Sequence, residues 1–394
     1  MKKIMLTILT CVFLVSSLLP AQTESADESY IKAMQAKDMA EKVKLLKEYL
    51  STYEGQGTKY ENFVYANLCL IPYSGKTPQE TISYGEKALA AGGLDPLTKA
   101  SVLITISGLY NTLGQNLDKS KRYALQAVEI GQTNKNVESA TTTPAQWNRI
   151  IGLGYYTLAQ AQVKQNDNTN AVSAYLNSYG ILKDINIIKE IQKLGKTLYD
   201  NKSYSDSEKA FKVCVDVLKD YASYAYYAKS LYRNKKIDAA LKNFKIAYQK
   251  QKSGEIAYNI GIIYASQAQN NKEVTNEAIK YLLEASFLSE TYSEKAMKMA
   301  ESLYFNQDPE YNEKVKEIKA GQKKLDELYE TFNKKFGEKE ENELSTREKM
   351  DLRTLNSEIE AQKSIIESLQ EEQKEILEKF SGLLESTKKR LGIK

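Results

Sequence analysis

In this chain the side chains most able to act on another molecule are lysines, arginines and tyrosines, because the usual catalytic set is missing. The 394 residues include no histidine. That removes Ser-His-Asp and Cys-His activation of a nucleophile, and with it the commonest metal ligand. Of the three cysteines, Cys11 lies in an N-terminal apolar run, while Cys69 and Cys214 fall on helical stripes far apart in the chain. Two thiols cannot complete a zinc site, and they read as small buried hydrophobes. A disulfide would need them adjacent in space. The run Gly55 to Lys59, GQGTK, lacks the spacing and the preceding strand of a phosphate-binding loop. Carboxylates are plentiful, but nearly all sit on solvent faces of helical patterns. The expectation is a protein that binds rather than catalyses. It has no catalytic residue, no metal site, no cofactor and no evident small-molecule substrate.

Composition narrows the kind of binding. A formal net charge of +4 is small for this length. It argues against a general nucleic-acid binder, which concentrates positive charge on one face. Hydrophobic content of 42% with 27% charged residues suits a folded, soluble chain. Six prolines and nineteen glycines are few, which favours helix. The 28 tyrosines supply large residues with a polar tip, useful in helix seams and on binding faces.

The elements that position these side chains are short amphipathic helices in pairs. In Tyr221 to Ala247, Tyr224, Tyr227, Ala228 and Leu231 share one helical face, and Ile237, Ala240, Leu241, Phe244 and Ala247 share another. Neither helix is long enough to stand alone in water, so each must bury its stripe against a neighbour. The same order recurs. Tyr155, Leu158-Ala159 and Gln162 lead to Ala171, Tyr175 and Ser178. Next, Ile191, Leu194-Gly195 and Leu198 lead to Ser207, Phe211 and Cys214. Later, Ala257, Ile260-Gly261 and Tyr264 lead to Ala278, Leu282 and Ala285. The equivalent small residues Ala171, Ser207, Ala240 and Ala278 stand 36, 33 and 38 residues apart.

This order resembles the tetratricopeptide repeat, a helix-turn-helix unit of about 34 residues. Tyr224 stands at the usual Trp position, Tyr227-Ala228 at the Leu-Gly pair, and Leu231 at the following Tyr. The proline that usually ends the unit is missing here and in most units of the chain. The resemblance implies an all-α fold, a right-handed superhelix of helical hairpins over residues 27–305. It also implies that the first helix of each unit lines a concave groove. The groove candidates are then the residues of those helices that face away from the buried stripe: Tyr156, Gln160 and Lys164; Lys189, Gln192, Lys196 and Tyr199; Lys229, Tyr232 and Arg233; and Tyr258. The set is basic, rich in tyrosine and free of carboxylates. Lysine and arginine attract at long range, and tyrosine gives contact area at low entropic cost. The expected occupant is an extended protein or peptide segment, acidic or carboxylate-bearing. The set is similar in kind to the carboxylate clamp of some tetratricopeptide domains, but not in spacing or asparagines, so that specific role is not carried over.

At the N-terminus, Met1-Lys2-Lys3, the apolar run Ile4 to Leu19 and Pro20-Ala21 read as a secretory signal peptide over 1–21, hence an exported, periplasmic or secreted protein. Two other readings stand beside it. The run as a retained anchor is short for a spanning helix. Lipid attachment at Cys11 lacks a small residue at Leu9-Thr10.

Asp27 to Tyr53 reads as a helical pair or one bent helix that caps the array. Two units that match the repeat less well follow, with helix starts at Thr77-Pro78 and Asp95-Pro96. Thr133 to Ala145 reads as an exposed linker, and Gln269 to Asn276 as a smaller insertion. Trp147 reads as the seal of a helix junction.

From Asp308 the composition turns to Glu and Lys. Val315, Ile318, Leu325, Phe332 and Phe336, then Leu352, Leu355, Ile359, Ile366, Leu369, Ile376, Phe380 and Leu383, carry heptad spacing. The polar run Gly337 to Leu344 between them predicts an antiparallel hairpin, or coiled coil, over 306–394. Its longer second arm should rest on the last repeat or on another subunit. Two functions fit: a non-enzymatic binding scaffold, or an assembly protein that forms homo-oligomers through its C-terminal segment.

Overall fold

The structure, a computed structural model, describes residues 24–393 apart from 138–140, 269–270, 338–339 and 341–342. The expected signal peptide and Cys11 lie outside these, as do parts of the expected linker, insertion and hairpin turn. The described residues form seventeen α-helices and no strand. They are α1 (Ala26–Gln35), α2 (Met39–Tyr53), α3 (Glu61–Leu70), α4 (Pro78–Ala91), α5 (Pro96–Leu113), α6 (Leu117–Asn134), α7 (Pro144–Lys164), α8 (Asn168–Leu182) and α9 (Ile185–Asp200). There follow α10 (Tyr204–Val217), α11 (Tyr221–Arg233), α12 (Ile237–Lys250), α13 (Gly254–Gln267), α14 (Lys272–Leu288), α15 (Glu290–Asn306), α16 (Pro309–Phe336) and α17 (Thr346–Leu391). The chain divides into two compact units, up to Ile187 and from Ile188 on.

In the first unit α1/α2, α3/α4, α5/α6 and α7/α8 are packed hairpins. Asp27 to Tyr53 is thus a pair, broken between Ala36 and Asp38. Thr77 and Asp95 cap α4 and α5, each with proline in the first turn, where a missing N–H costs nothing. The expected linker is shorter than its composition suggests. α6 carries on through Thr133 and Asn134, and α7 begins at Pro144 behind a capping box between Thr143 and Gln146. Trp147 is buried with Ala100, Leu103, Ala127 and Ile150, joining α5, α6 and α7. Tyrosine tips here are tied to carboxylates. Tyr110 and Tyr123 both donate to Glu86, at 2.8 and 2.9 Å, and Lys119 pairs with the same carboxylate at 2.7 Å.

In the second unit the hairpins are α9/α10, α11/α12 and α13/α14, closed by α15. Small residues at the repeat's fixed positions let the helices meet. A Cβ on Gly195 would come within 2.9 Å of the Phe211 ring, and one on Gly261 within 2.7 Å of Leu282. Ser207 Oγ donates to Gly195 O across α9 and α10 at 2.9 Å. The aromatic at the repeat's second-helix position, Phe211 or Phe244, is fully buried. The expected insertion shrinks as well: Asn271 caps α14, so 272–276 are helical.

α16 and α17 run antiparallel. Gly321 faces Gln362 and Ile366, Lys314 pairs with Glu372, and Lys363 lies over the Tyr329 ring. Leu325, Phe336, Leu344, Leu355, Ile359 and Ile366 bury one another between the two helices. The last turns of α17 rest on the repeats of the same chain. Phe380 packs against Tyr304 and Phe305, and Thr387 is buried. Cys69 and Cys214 are buried free thiols in different units.

Candidate functional site

The first helices of the second unit carry a regular pattern. Gln192, Lys196 and Tyr199 on α9 are spaced i, i+4, i+7. Tyr226, Lys229 and Arg233 on α11, Glu255, Tyr258, Ile262 and Ala265 on α13, and Tyr292, Lys295, Met299 and Ser302 on α15 keep the i, i+3, i+7 spacing. Each set therefore shares one side of its helix.

Contacts join these sets across helices. Tyr199 meets Tyr204 and Tyr226, with ring centroids 5.3 and 5.6 Å apart, and Tyr226 stacks on Phe211 at 5.3 Å. Arg233 lies 5.7 Å from the Tyr204 ring. Lys229 Nζ lies 4.8 Å from the Tyr226 centroid and 2.7 Å from Glu255 Oε1. Its side chain is only 13% exposed. Burial works against its charge, yet the hydrogen bond and charge of Glu255 outweigh that and raise its pKa. Tyr258 stacks on Tyr292 with centroids 4.7 Å apart, and Lys295 sits over the Tyr258 ring at 5.5 Å.

The eleven residues named from the sequence fall into distinct environments. Lys189, Lys196 and Arg233 are exposed in the second unit, and Lys164 in the first. Tyr199 and Lys229 belong to the network above. Gln192 is already committed: its amide donates to the Asp220 carboxylate at 3.1 Å and to Ser223 Oγ at 2.8 Å. Tyr232 packs against the unit's core. Tyr258 is 8% exposed because Tyr292 covers it, so facing away from its own stripe did not make it solvent-facing. In the first unit, Tyr156 is half-buried against Tyr175, and Gln160 lines a hollow with Cys69, Tyr73, Lys76 and four threonines.

Sequence reading missed Tyr226, Glu255, Tyr292 and Lys295. Tyr226 was detectable from its spacing to Lys229 and Arg233. Glu255 also means that the face is not free of carboxylate, and Lys229 is not a spare cation. Burial pushes the Cys69 thiol up to about 11, against a small opposing effect of Lys76. Burial, with Asp220 nearby, pushes Cys214 up to about 12. Neither thiol is set up as a nucleophile at neutral pH. Among the described residues no cluster of carboxylates and thiols could hold a metal ion.

The fold and this face define an all-helical protein of tetratricopeptide-like hairpins. Among the solved structures similar to the chain are two from different organisms. One is a tetratricopeptide repeat protein from Parabacteroides merdae, at 13% identity and a TM-score of 0.34, covering 70% of this chain and 98% of that one. The other is Tom70 from yeast, at 14% identity and a TM-score of 0.31, covering 75% of this chain and 68% of that one. No family model and no curated protein matches the chain.

Proposed function

We propose that the protein is a non-enzymatic scaffold of the cell envelope or secreted space that holds an extended protein segment on the α9–α11–α13 face. The observation that carries this reading is the linked run of rings and cations on successive first helices, from Tyr199 and Tyr226 through Lys229 and its partner Glu255 to Tyr258 and Tyr292, with Tyr204 of α10 joining at Tyr199. Rings that already hold one another lose little freedom when a partner arrives, which is how rigid aromatic surfaces keep binding costs low. Exposed Lys196 and Arg233 flank the run and favour carboxylates on the partner. Selecting partners with the chain from Gln22 on, then repeating the selection with Lys196→Glu/Arg233→Glu, tests the reading. Unchanged capture by the folded variant would refute it.

Export rests on the Met1 to Ala21 pattern. Among the described residues, no helix is long and apolar enough to cross a membrane. The first helix opens with a capping box at Ser25 and Glu28, which cleavage after Ala21 leaves intact. Mass spectrometry of the native protein should find a new N-terminus between Gln22 and Ala26. An intact Met1 in a cytosolic fraction would sink export.

The assembly reading draws less support. The heptad positions of α16 and α17 bury one another within one chain, and the end of α17 is seated on the chain's own α14.

A further inference from the structure

We propose that the α16–α17 hairpin is an exchangeable arm: the end of α17 that seats on its own chain's α14 also seats on α14 of a second copy, giving a closed two-fold dimer. This goes beyond the scaffold reading and does not depend on it. The hairpin is built to move as one body. Its seam of Leu325, Leu355, Ile359 and Ile366 is internal, so it stays paired whichever copy the arm rests on. Only Gln307 and Asp308 join the arm to α15.

The seat selects its occupant. Phe380, Leu383, Thr387 and Arg390 fall at i, i+3, i+7 and i+10, on one face of α17. Phe380 meets Tyr304 and Phe305 with ring centroids 4.9 and 5.3 Å apart, and Leu383 packs against the same core. Arg390 reaches the buried Glu284 carboxylate, and among the described residues it alone pairs with that charge. A helix that fills this seat must carry a ring and an arginine ten residues apart on one face. The end of this chain does so, and a second copy therefore fits.

Both ends of the arm hold a buried polar atom without a hydrogen-bond partner among the described residues: Gln307 Oε1 at the joint and Thr387 Oγ1 in the seat. The Gln307 amide nitrogen reaches Asn276 Oδ1 and Leu303 O only at 3.5 Å. Unsatisfied buried groups cost free energy. Opening the joint relieves the first of them, while the seam and the seat contacts are the same in monomer and dimer. The second keeps the seat weak enough to open. A short, strained connection is the setting in which identical elements change places between copies. The Phe380 and Arg390 contacts must break first, so the two forms interconvert slowly.

The test is sedimentation of the chain from Gln22 on, as wild type, with Gln307 deleted, and with Gly-Ser-Gly-Ser inserted after Gln307. The wild type should show a dimer fraction that grows with concentration and persists after dilution. The deletion should raise the dimerisation constant about tenfold, and the insertion should lower it about tenfold. A dimer indifferent to the length of the joint forms through another surface and overturns the proposal. So does a wild type that stays monomeric at every concentration. A second measurement leaves the joint untouched. Lys388 lies 5.7 Å from the Phe287 ring across the seat, so Phe287→Cys and Lys388→Cys copies are mixed and treated with a short thiol crosslinker. Crosslinks between the two copies support exchange. Crosslinks that form only within a copy carrying both cysteines overturn it, and their absence from both overturns the seat itself.

Discussion

Arg390 and Glu284 stand 106 residues apart in the sequence and 3.0 Å apart in space. Glu284 is 2% exposed on α14, and its other oxygen accepts from the Tyr248 hydroxyl at 2.5 Å. A buried carboxylate needs partners, and here one comes from α12 and one from the last turn of α17. The carboxylate also drives the Tyr248 hydroxyl further up, adding to burial as the first cause. The pairing seats the end of α17 on α14 of the last full hairpin. An array of stacked helices needs such a closing element, because its final repeat otherwise leaves an apolar face bare.

Arg390→Ala should therefore destabilise the second unit by about 1–3 kcal/mol, since Glu284 stays buried with one partner fewer. Glu284→Gln should cost less, because it removes the charge along with the need to compensate it. Urea unfolding of both single variants and the double variant measures this. A coupling near zero between the two sites would show that the pairing does not hold α17 in place.

The α16–α17 register predicts an intrachain crosslink. With Gly321 against Gln362 and Ile366, cysteines replacing Leu325 and Ile359 fall within reach of each other. Oxidation should give a monomeric disulfide at a rate independent of protein concentration. Crosslinks that form only between chains would mean that these helices pair with another copy.

Alkaline pH should unfold the protein early. Burial raises Cys69 and Cys214 from an ordinary 9.0 to about 11 and about 12. Burial, with Glu86 and Glu277 respectively, raises Tyr110 and Tyr281 from 10.0 to about 12. Between these values the unfolded chain has lost protons that the native chain keeps. Stability is therefore intact below about pH 9 and falls as pH rises through 9 to 12. Unfolding midpoints at pH 8, 9 and 10 check this; a midpoint that rises with pH would contradict it. Thiol reagents at pH 8 should label neither buried cysteine until the chain opens.

Much of the fold was legible because a stripe on one helix states which face is buried. Gly195 and Gly261, placed four residues after Ile191 and Ala257, marked the close approaches to Phe211 and Leu282. The face itself was less legible, since one helix's periodicity does not say what the next helix brings to it. Periodicity alone leaves Lys229 free, because its partner Glu255 lies on another helix, and Tyr258 open, because Tyr292 covers it from a third. The Thr and Asn composition of 133–145 suggests a longer linker than exists, while the Thr143–Gln146 capping box marks where α7 begins.

The proposed binding of a protein segment by the ring and cation face of α9, α11, α13 and α15 is open to direct test. The most direct measurement compares capture from an envelope extract by the wild type and by Lys196→Glu/Arg233→Glu, each at low and high salt. These two cations are exposed, so the variant leaves the Lys229–Glu255 pair in place while it removes the Arg233 contact with the Tyr204 ring. Specific partners should be held by the wild type, weakened by salt, and reduced about tenfold by the double reversal. The same partners captured equally by both proteins, with the same salt dependence, would contradict it.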